Sequence, residues 1–275
     1  MTVMTHVQPA QTVPQPRARG LLRLALRQAR GAARIDRLHQ AGSLKVLFPR
    51  EAGPALEAVL LNTAGGLTGG DRMEVEIAAG AGARAVISTQ AAERAYRAPP
   101  GPAAEVEVRL RAEPGARLDW LPQETILFEG AKLDRRLKAE LDSGATALIV
   151  EPVIFGRMAM GEVLRDAHLH DRWQIRVGGR LVLADALRLA GDVQAQLARA
   201  AVAGGAGAMA TLCLVGPGAA AKLGPVRALG AAASLIRDEV LFLRMLAVDG
   251  QALRRALIPV IECLTEASLP KVWRL

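Results

Sequence analysis

Four glycines fall within six residues, at Gly65, Gly66, Gly69 and Gly70, inside the stretch NTAGGLTGGD that runs from Asn62 to Asp71. Glycine enters left-handed backbone conformations at little steric cost and lets another group approach closely, so this density forces the chain along one path. A phosphate-binding loop would place Lys and then Ser or Thr after the last glycine and would open a helix. Here Asp71 and Arg72 follow, and residues 73–77 alternate Met-Glu-Val-Glu-Ile, the two-residue period of a half-buried strand. The glycines therefore join two strands, and both the letters and their context exclude a nucleotide cradle.

From residue 17 to 189 the dominant signal is short alternating segments between Gly or Pro turns. Residues 44–48, 58–61, 73–77, 83–88, 105–111, 125–128, 133–141 and 147–150 fit strands. Residues 174–177 and 180–183 flank Gly178-Gly179, a dipeptide that closes a two-residue hairpin. No convincing ten-residue helical period interrupts this region, which excludes alternating βαβ units and indicates an all-β body, a sandwich or a solenoid-like stack. A strict repeat is absent, so the sequence leaves those two open. Beyond residue 189, Asp192 caps a short helix through Ala201, and the Ala/Leu-rich stretch 223–245 reads as helical. Leu253, Leu257, Val260, Ile261 and Leu264 recur at helical spacing behind a cap at Asp249, with Pro259 expected to break or kink that helix. The expected organisation is a disordered tail over 1–16, a β body over about 17–190 and a helix-containing part over about 191–275 packed on the same domain.

Hydrophobic residues make up 51% of the 275 positions but aromatics only 3%, so Leu, Val, Ile and Ala must fill the core. The two cysteines, Cys213 and Cys263, form no CxxC or Cys/His cluster, which argues against a zinc site or disulfide framework and favours a reducing cytoplasm. The first sixteen residues carry no charge and lack the apolar run of a signal peptide. The uncharged run 200–221 is mostly Ala and Gly, which contribute little to membrane insertion, so it reads as a helix end, a glycine turn and a buried strand over 208–215.

The net charge of +8 is concentrated in one stripe. Between Arg17 and Arg50 stand nine basic residues against Asp36 alone. Such a stripe can mark a nucleic-acid surface, but no binding motif and no interleaved aromatics for base stacking accompany it. A solvated strand face, or an acidic protein partner, fits better.

Candidate chemistry is scattered. His168 and His170 lie two apart, so on a strand both imidazoles share a side and could reach one metal ion with Asp166 or Asp171 as a third ligand. The plainer reading is an exposed polar loop. Ser88 lacks a nucleophile elbow, and neither cysteine has a histidine nearby in sequence. Asp71, Glu93, Glu124, Glu151, Glu162 and Asp185 could bind a divalent cation weakly or serve as acid and base. Structural roles compete: Asp71 as a cap on the glycine turn, Glu93 as a partner of Arg94 or Arg97, Glu162 as a partner of Arg157.

The glycine stretch with STQAAERAY (88–96), QAGSLKVLFP (40–49), WLPQETILFEGAKLDRRL (120–137), GRMAMGE (156–162), DRWQIRVGGRLVLADALRL (171–189) and PKVWR (270–274) resembles, block by block and in order, the urease accessory protein family UreD, also called UreH. The resemblance implies a mainly β, right-handed β-helix-like stack of short strands with a few C-terminal helices. It implies a cytoplasmic accessory protein, not an enzyme, that supports nickel insertion into the urease apoprotein and binds a UreF-type partner and, through it, a UreG-type GTPase, with no nucleic acid or membrane involved. No cofactor is expected to be held tightly, Ni(2+) being in transit through the interior; Asp71 with one or more of Glu93, Glu151 and Asp185 is expected to line that path. Leu241 and Leu243 are expected at the partner interface. Two alternatives remain beside this reading, a nucleic-acid binder using the Arg17 to Arg50 stripe and a metal-dependent enzyme using His168 and His170.

Overall fold

The structure, a computed structural model, describes residues 16–49, 54–265 and 269–274. The expected tail therefore lies outside the described residues except for Pro16, as does Arg50 of the basic stripe. The chain opens with β1 (Arg19–Ala29), β2 (Ala32–Gly42) and β3 (Leu44–Leu47). It then winds through β4 (Ala55–Asn62), β5 (Arg72–Ala79), β6 (Arg84–Thr89), β7 (Glu93–Ala95), β8 (Ala104–Ala112), β9 (Arg117–Leu121), β10 (Thr125–Leu127), β11 (Lys132–Leu141), β12 (Thr146–Phe155) and β13 (Ala167–Val177). It ends with β14 (Arg180–Gly191), α1 (Val193–Ala198), β15 (Ala208–Val215), α2 (Leu223–Ala228), β16 (Ala232–Arg237), β17 (Val240–Ala247) and α3 (Gly250–Thr265).

The winding is that of a β-helix. Strands β5, β8, β11 and β13 run parallel and adjacent in one sheet. Strands β4, β6, β9 and β12 do the same in the facing sheet. Leu67, β7, β10 and the end of β12 make a narrow third ladder on one side. Successive coils thus present equivalent strands to one another, the mainly β stack that the resemblance implied. β1 extends the first sheet by parallel pairing with β5, and β15, β17 and β16 extend the second by antiparallel pairing.

The three corners that lead from β5 to β6, β8 to β9 and β11 to β12 use one device. Gly82-Ala83, Gly115-Ala116 and Gly144-Ala145 occupy equivalent places, the glycines at φ of +68°, +70° and +80°. Only glycine takes that conformation without strain, and the alanine after it is buried and donates its N–H to the carbonyl three residues back. The corners stack, so a larger side chain at any of these alanines would meet the coil beside it.

Between the sheets the alternating inward positions build the main core, with Leu22, Val75, Leu110 and Ile175 on one side and Leu60, Ile87, Leu118 and Ile149 on the other. A second core lies on the far face of the second sheet. There Leu148, Val150, Leu212, Leu241 and Leu243 are covered by Leu253, Leu257, Val260, Ile261 and Leu264 of α3. β12 is buried on both faces, which is why its sequence is an almost unbroken apolar run.

One expectation is overturned. The Ala/Leu-rich stretch 223–245 is α2, one and a half turns long, followed by the β16–β17 hairpin after Gly230 at φ +82°. Helix propensity is a weak prior, and antiparallel pairing of β17 with β15 overrides it. Leu241 and Leu243 are consequently fully buried core residues, so they cannot form the partner-facing surface. The caps agree with the sequence: Asp192 accepts from the Ala195 N–H at 2.8 Å and Asp249 from the Ala252 N–H at 2.7 Å. α3 continues through Pro259, since packing of its apolar face outweighs one lost hydrogen bond. The uncharged run contains β15 as expected, and among the described residues no helix is long and apolar enough to cross a membrane.

The C-terminal segment is clamped to this frame. Trp273 is fully buried and its indole N–H donates to the Leu121 carbonyl at 2.9 Å. Arg254 of α3 donates to Gln123 Oε1 at 2.7 Å, Glu124 Oε1 at 3.0 Å and the Trp273 carbonyl at 2.8 Å, its guanidinium lying over the indole. This explains why blocks 120–137 and 270–274 go together. Arg254→Ala is expected to cost about 2 kcal/mol by loss of charge-assisted hydrogen bonds, and Trp273→Ala about 3–5 kcal/mol by cavity formation, both read as shifts of the urea midpoint.

Candidate functional site

The glycine turn leaves β4 and delivers Leu67 to the side ladder, where its N–H donates to the Arg94 carbonyl at 2.7 Å and its carbonyl accepts from Tyr96 at 2.8 Å. Gly66 is required here twice over: φ is +145°, and a Cβ would sit 2.3 Å from the Tyr96 ring and 2.8 Å from the Arg94 carbonyl. Asp71 locks the turn from below, accepting from the Ala18 N–H and the Thr68 N–H, each at 2.8 Å. Asn62 ties the turn to the next coil, its side-chain amide donating to the Gly66 carbonyl at 3.2 Å and to Glu93 Oε2 at 3.1 Å. Tyr96 packs edge-on against Phe128, and Arg157, paired with Glu162, lies over the Phe128 ring. The far-apart blocks of the sequence thus meet on one flank of the β-helix.

Behind this flank, between the sheets, lies a cavity of about 260 Å³. Its walls are largely apolar, from residues such as Leu60, Met73, Val75 and Leu133, but a line of polar groups crosses it. Glu93 on β7 pairs in register with Thr125 on β10, and Thr125 Oγ1 accepts from Arg135 at 3.2 Å. Arg135 occupies an inward position of β11 between Leu133 and Leu137. Its guanidinium donates to Glu151 Oε2 at 2.7 Å and to Asp171 Oδ2, while the Trp120 indole N–H donates to Glu151 Oε1 at 2.8 Å. Since Arg135 and Asp171 belong to the first sheet and Glu151 and Trp120 to the second, this cluster bridges the two sheets.

Two buried carboxylates share one guanidinium. Burial pushes the Glu151 carboxyl up, against the opposing pull of Arg135, and the nearby Asp171 carboxylate adds to the rise. Burial works against the charge of Arg135, but Asp171 and Glu151 together hold it above its ordinary value. Glu93 is also raised, chiefly by burial, with the Asn62 hydrogen bond opposing. Glu151 and Asp171 thus share the single guanidinium of Arg135, an arrangement that costs stability.

Of the four carboxylates expected along an ion path, Glu93 and Glu151 line this cavity. Asp71 holds the glycine turn, and Asp185 on β14 is paired with Arg244 at 2.6 Å, away from the cavity lining. Glu124 serves Arg254, and Glu162 serves Arg157. His168 and His170 do share a face of β13, but the neighbour between them is Asp134, 3.3 and 3.8 Å away. Asp171 falls on the opposite phase and points inward, beside Arg135. Burial and the adjacent Arg172 keep the His170 imidazole below its usual value, and no three His, Cys, Asp or Glu side chains among the described residues are grouped to hold a metal. Burial pushes the Cys213 thiol up, the reverse of an activated nucleophile. Arg135 and Asp171 as a bridge were missed from sequence. Their signal was a charged letter at an inward phase, LDRRL and HLHDRW, where alternation calls for an apolar one.

Because the folded-state value for Glu93 lies above the ordinary carboxylate range, its stabilising contribution is present at low pH and lost as pH rises through the raised value. Glu93→Gln should therefore match the unsubstituted protein in thermal melts near pH 4 and exceed it near pH 7. Removing Arg135 alone, as in Arg135→Met, leaves two facing carboxylates and should cost about 3–5 kcal/mol, whereas adding Glu151→Leu and Asp171→Leu should recover most of the loss; denaturant titration of the two variants measures the difference.

The family model described as UreD urease accessory protein matches residues 18–274. The chain is 46% identical over 269 residues to the urease accessory protein UreD of Roseobacter denitrificans, spanning 97% of this chain and 98% of that one. It is 50% identical over 271 residues to the protein of the same description from Rhizobium rhizogenes, spanning 97% and 98%. The corresponding protein of Brucella suis is 47% identical over 267 residues, spanning 94% and 95%.

Proposed function

The chain belongs to the UreD urease accessory protein family, and from that premise we propose that it is a non-catalytic scaffold that passes Ni(2+) through its interior toward the urease apoprotein. A UreF-type accessory protein, and through it a UreG-type GTPase, completes the assembly in the cytoplasm. The observation that carries the ion path is the cavity crossed by Glu93, Thr125, Arg135 and Glu151. Carboxylates spaced along an apolar wall attract a divalent cation without surrounding it, so the ion is held briefly and released; a closed His/Cys cage would retain it. Burial disfavours the charge on Glu93, and an approaching cation offsets that cost. Glu151 is reached only when Arg135 yields it, so that guanidinium sets the timing of passage. Asp71 contributes by holding the glycine turn that forms the cavity wall.

For the UreF-type partner, exposed apolar side chains replace Leu241 and Leu243. Met160 is 76% exposed and Val248 68%, with Met158 and Leu246 also exposed. Met158 and Val248 both abut Gly207, which brings the segments after β12 and β17 together.

Co-expression with urease and its other accessory proteins tests both parts. Glu93→Gln with Glu151→Gln should leave the UreF-type complex intact on size-exclusion chromatography and lower the nickel content of urease several-fold at limiting nickel. Met160→Glu with Val248→Glu should abolish the complex. Normal nickel content in the first variant would remove the ion path, and fully loaded urease made without this chain would remove the whole reading.

A further inference from the structure

The basic stripe has no part in that path. Its two strands, β1 and β2, end the first sheet, and β2 pairs with β1 alone among the described strands. Residues 34–40 are exposed one after another, on both faces of the strand. The β1–β2 register shifts between Ala25 and Leu26, and such a bulge bends a strand out of its sheet. Beside β2 the outer face of the sheet holds a groove of about 640 Å³ with Ala25 and Ala78 in its lining. Around it stand Arg23, Arg37, His39, Arg109 and Arg111, against the single carboxylate of Glu76. Arg23 and Arg109 share Glu76, at 3.2 and 2.8 Å, and Arg111 has no ion-pair partner among the described residues. Arg37 is 86% exposed at its side chain and shares Asp36 with Arg27. Leu38 pairs with the inward-facing Leu24, so its side chain lies on the other face of β2 from Arg37 and His39.

We propose that this groove is a docking site for an acidic, extended segment of a partner protein, whose carboxylates lie over Arg37, Arg23 and Arg111. Charge complementarity sets the class of occupant, because guanidinium forks outnumber carboxylates and pair with them bidentately. Nucleic acid fits less well. The strands β1, β2, β5 and β8 contain no Phe, Tyr or Trp on which a base could stack, and Glu76 and Glu107 interrupt the cationic track. The small side chains of Ala25 and Ala78 leave room for an extended peptide, which lies flat against a sheet. Edge-strand arginines can also serve only to block self-association, but Arg109 and Arg111 stand on β8, inside the sheet and away from its edge.

The test uses the full chain and a fluorescein-labelled twelve-residue peptide of alternating Glu and Leu, read by anisotropy at low and moderate salt. The expected result is binding that weakens as salt rises, falls at least tenfold in Arg23→Glu/Arg37→Glu/Arg111→Glu, and is unaltered by the distant Arg199→Glu. Hydrogen exchange at residues 37–39 should slow on binding. No binding at low salt, or equal binding by the triple variant with an unchanged melting temperature, overturns the proposal. A duplex or single-stranded DNA of similar charge binding the same residues more tightly than the peptide overturns it in favour of a nucleic-acid surface. Nickel delivery is not measured, so the outcome is independent of the ion path.

Discussion

Parallel main-chain pairing from coil to coil is the constraint on which the rest of this structure depends. Because β4, β6, β9 and β12 align on one side and β5, β8, β11 and β13 on the other, every inward position has a neighbour of the same phase in the next coil. Corners must then be narrow and alike, which is what the stacked Gly-Ala pairs provide. In such a stack a polar side chain on the inward phase cannot turn to solvent. Arg135 therefore needs partners from within, and it finds Asp171 one strand away and Glu151 across the interior.

That bridge sets the character of the cavity. A filled apolar interior would be more stable than two carboxylates around one guanidinium, since desolvation of each charge costs more than an apolar contact would. The raised values of Glu93 and Glu151 express the same cost in protons. Keeping ionisable groups in this interior gives up stability at one place between the sheets. The side ladder of Leu67, β7 and β10 is what brings Glu93 and Thr125 to that place, and the glycine turn exists to put Leu67 in the ladder.

Much of this was legible along the chain. The strand phases, the Gly178-Gly179 hairpin, the caps at Asp192 and Asp249 and the buried strand over 208–215 all follow from local preference and two-residue alternation. The errors came where local preference and long-range pairing disagree. Residues 240–247 look helical by composition and are a strand because β15 offers an unsatisfied edge. The coil repeat escaped notice because its corners fall at unequal spacing, at residues 82, 115 and 144, while the lengths between them vary.

By itself the sequence determined where the chain turns and which side chains alternate, because steric limits on φ and the period of a strand act over a few residues. It also carried enough ordered blocks to identify the family. Which charges meet was decided only by the tertiary structure. Arg135 is 16 residues from Glu151 and 36 from Asp171, and their contact depends on the length of each coil and the face each strand presents. The same dependence separated Glu93 and Glu151, inside the cavity, from Asp71 and Asp185, which lie in equally plausible wording but are held elsewhere by Thr68 and Arg244.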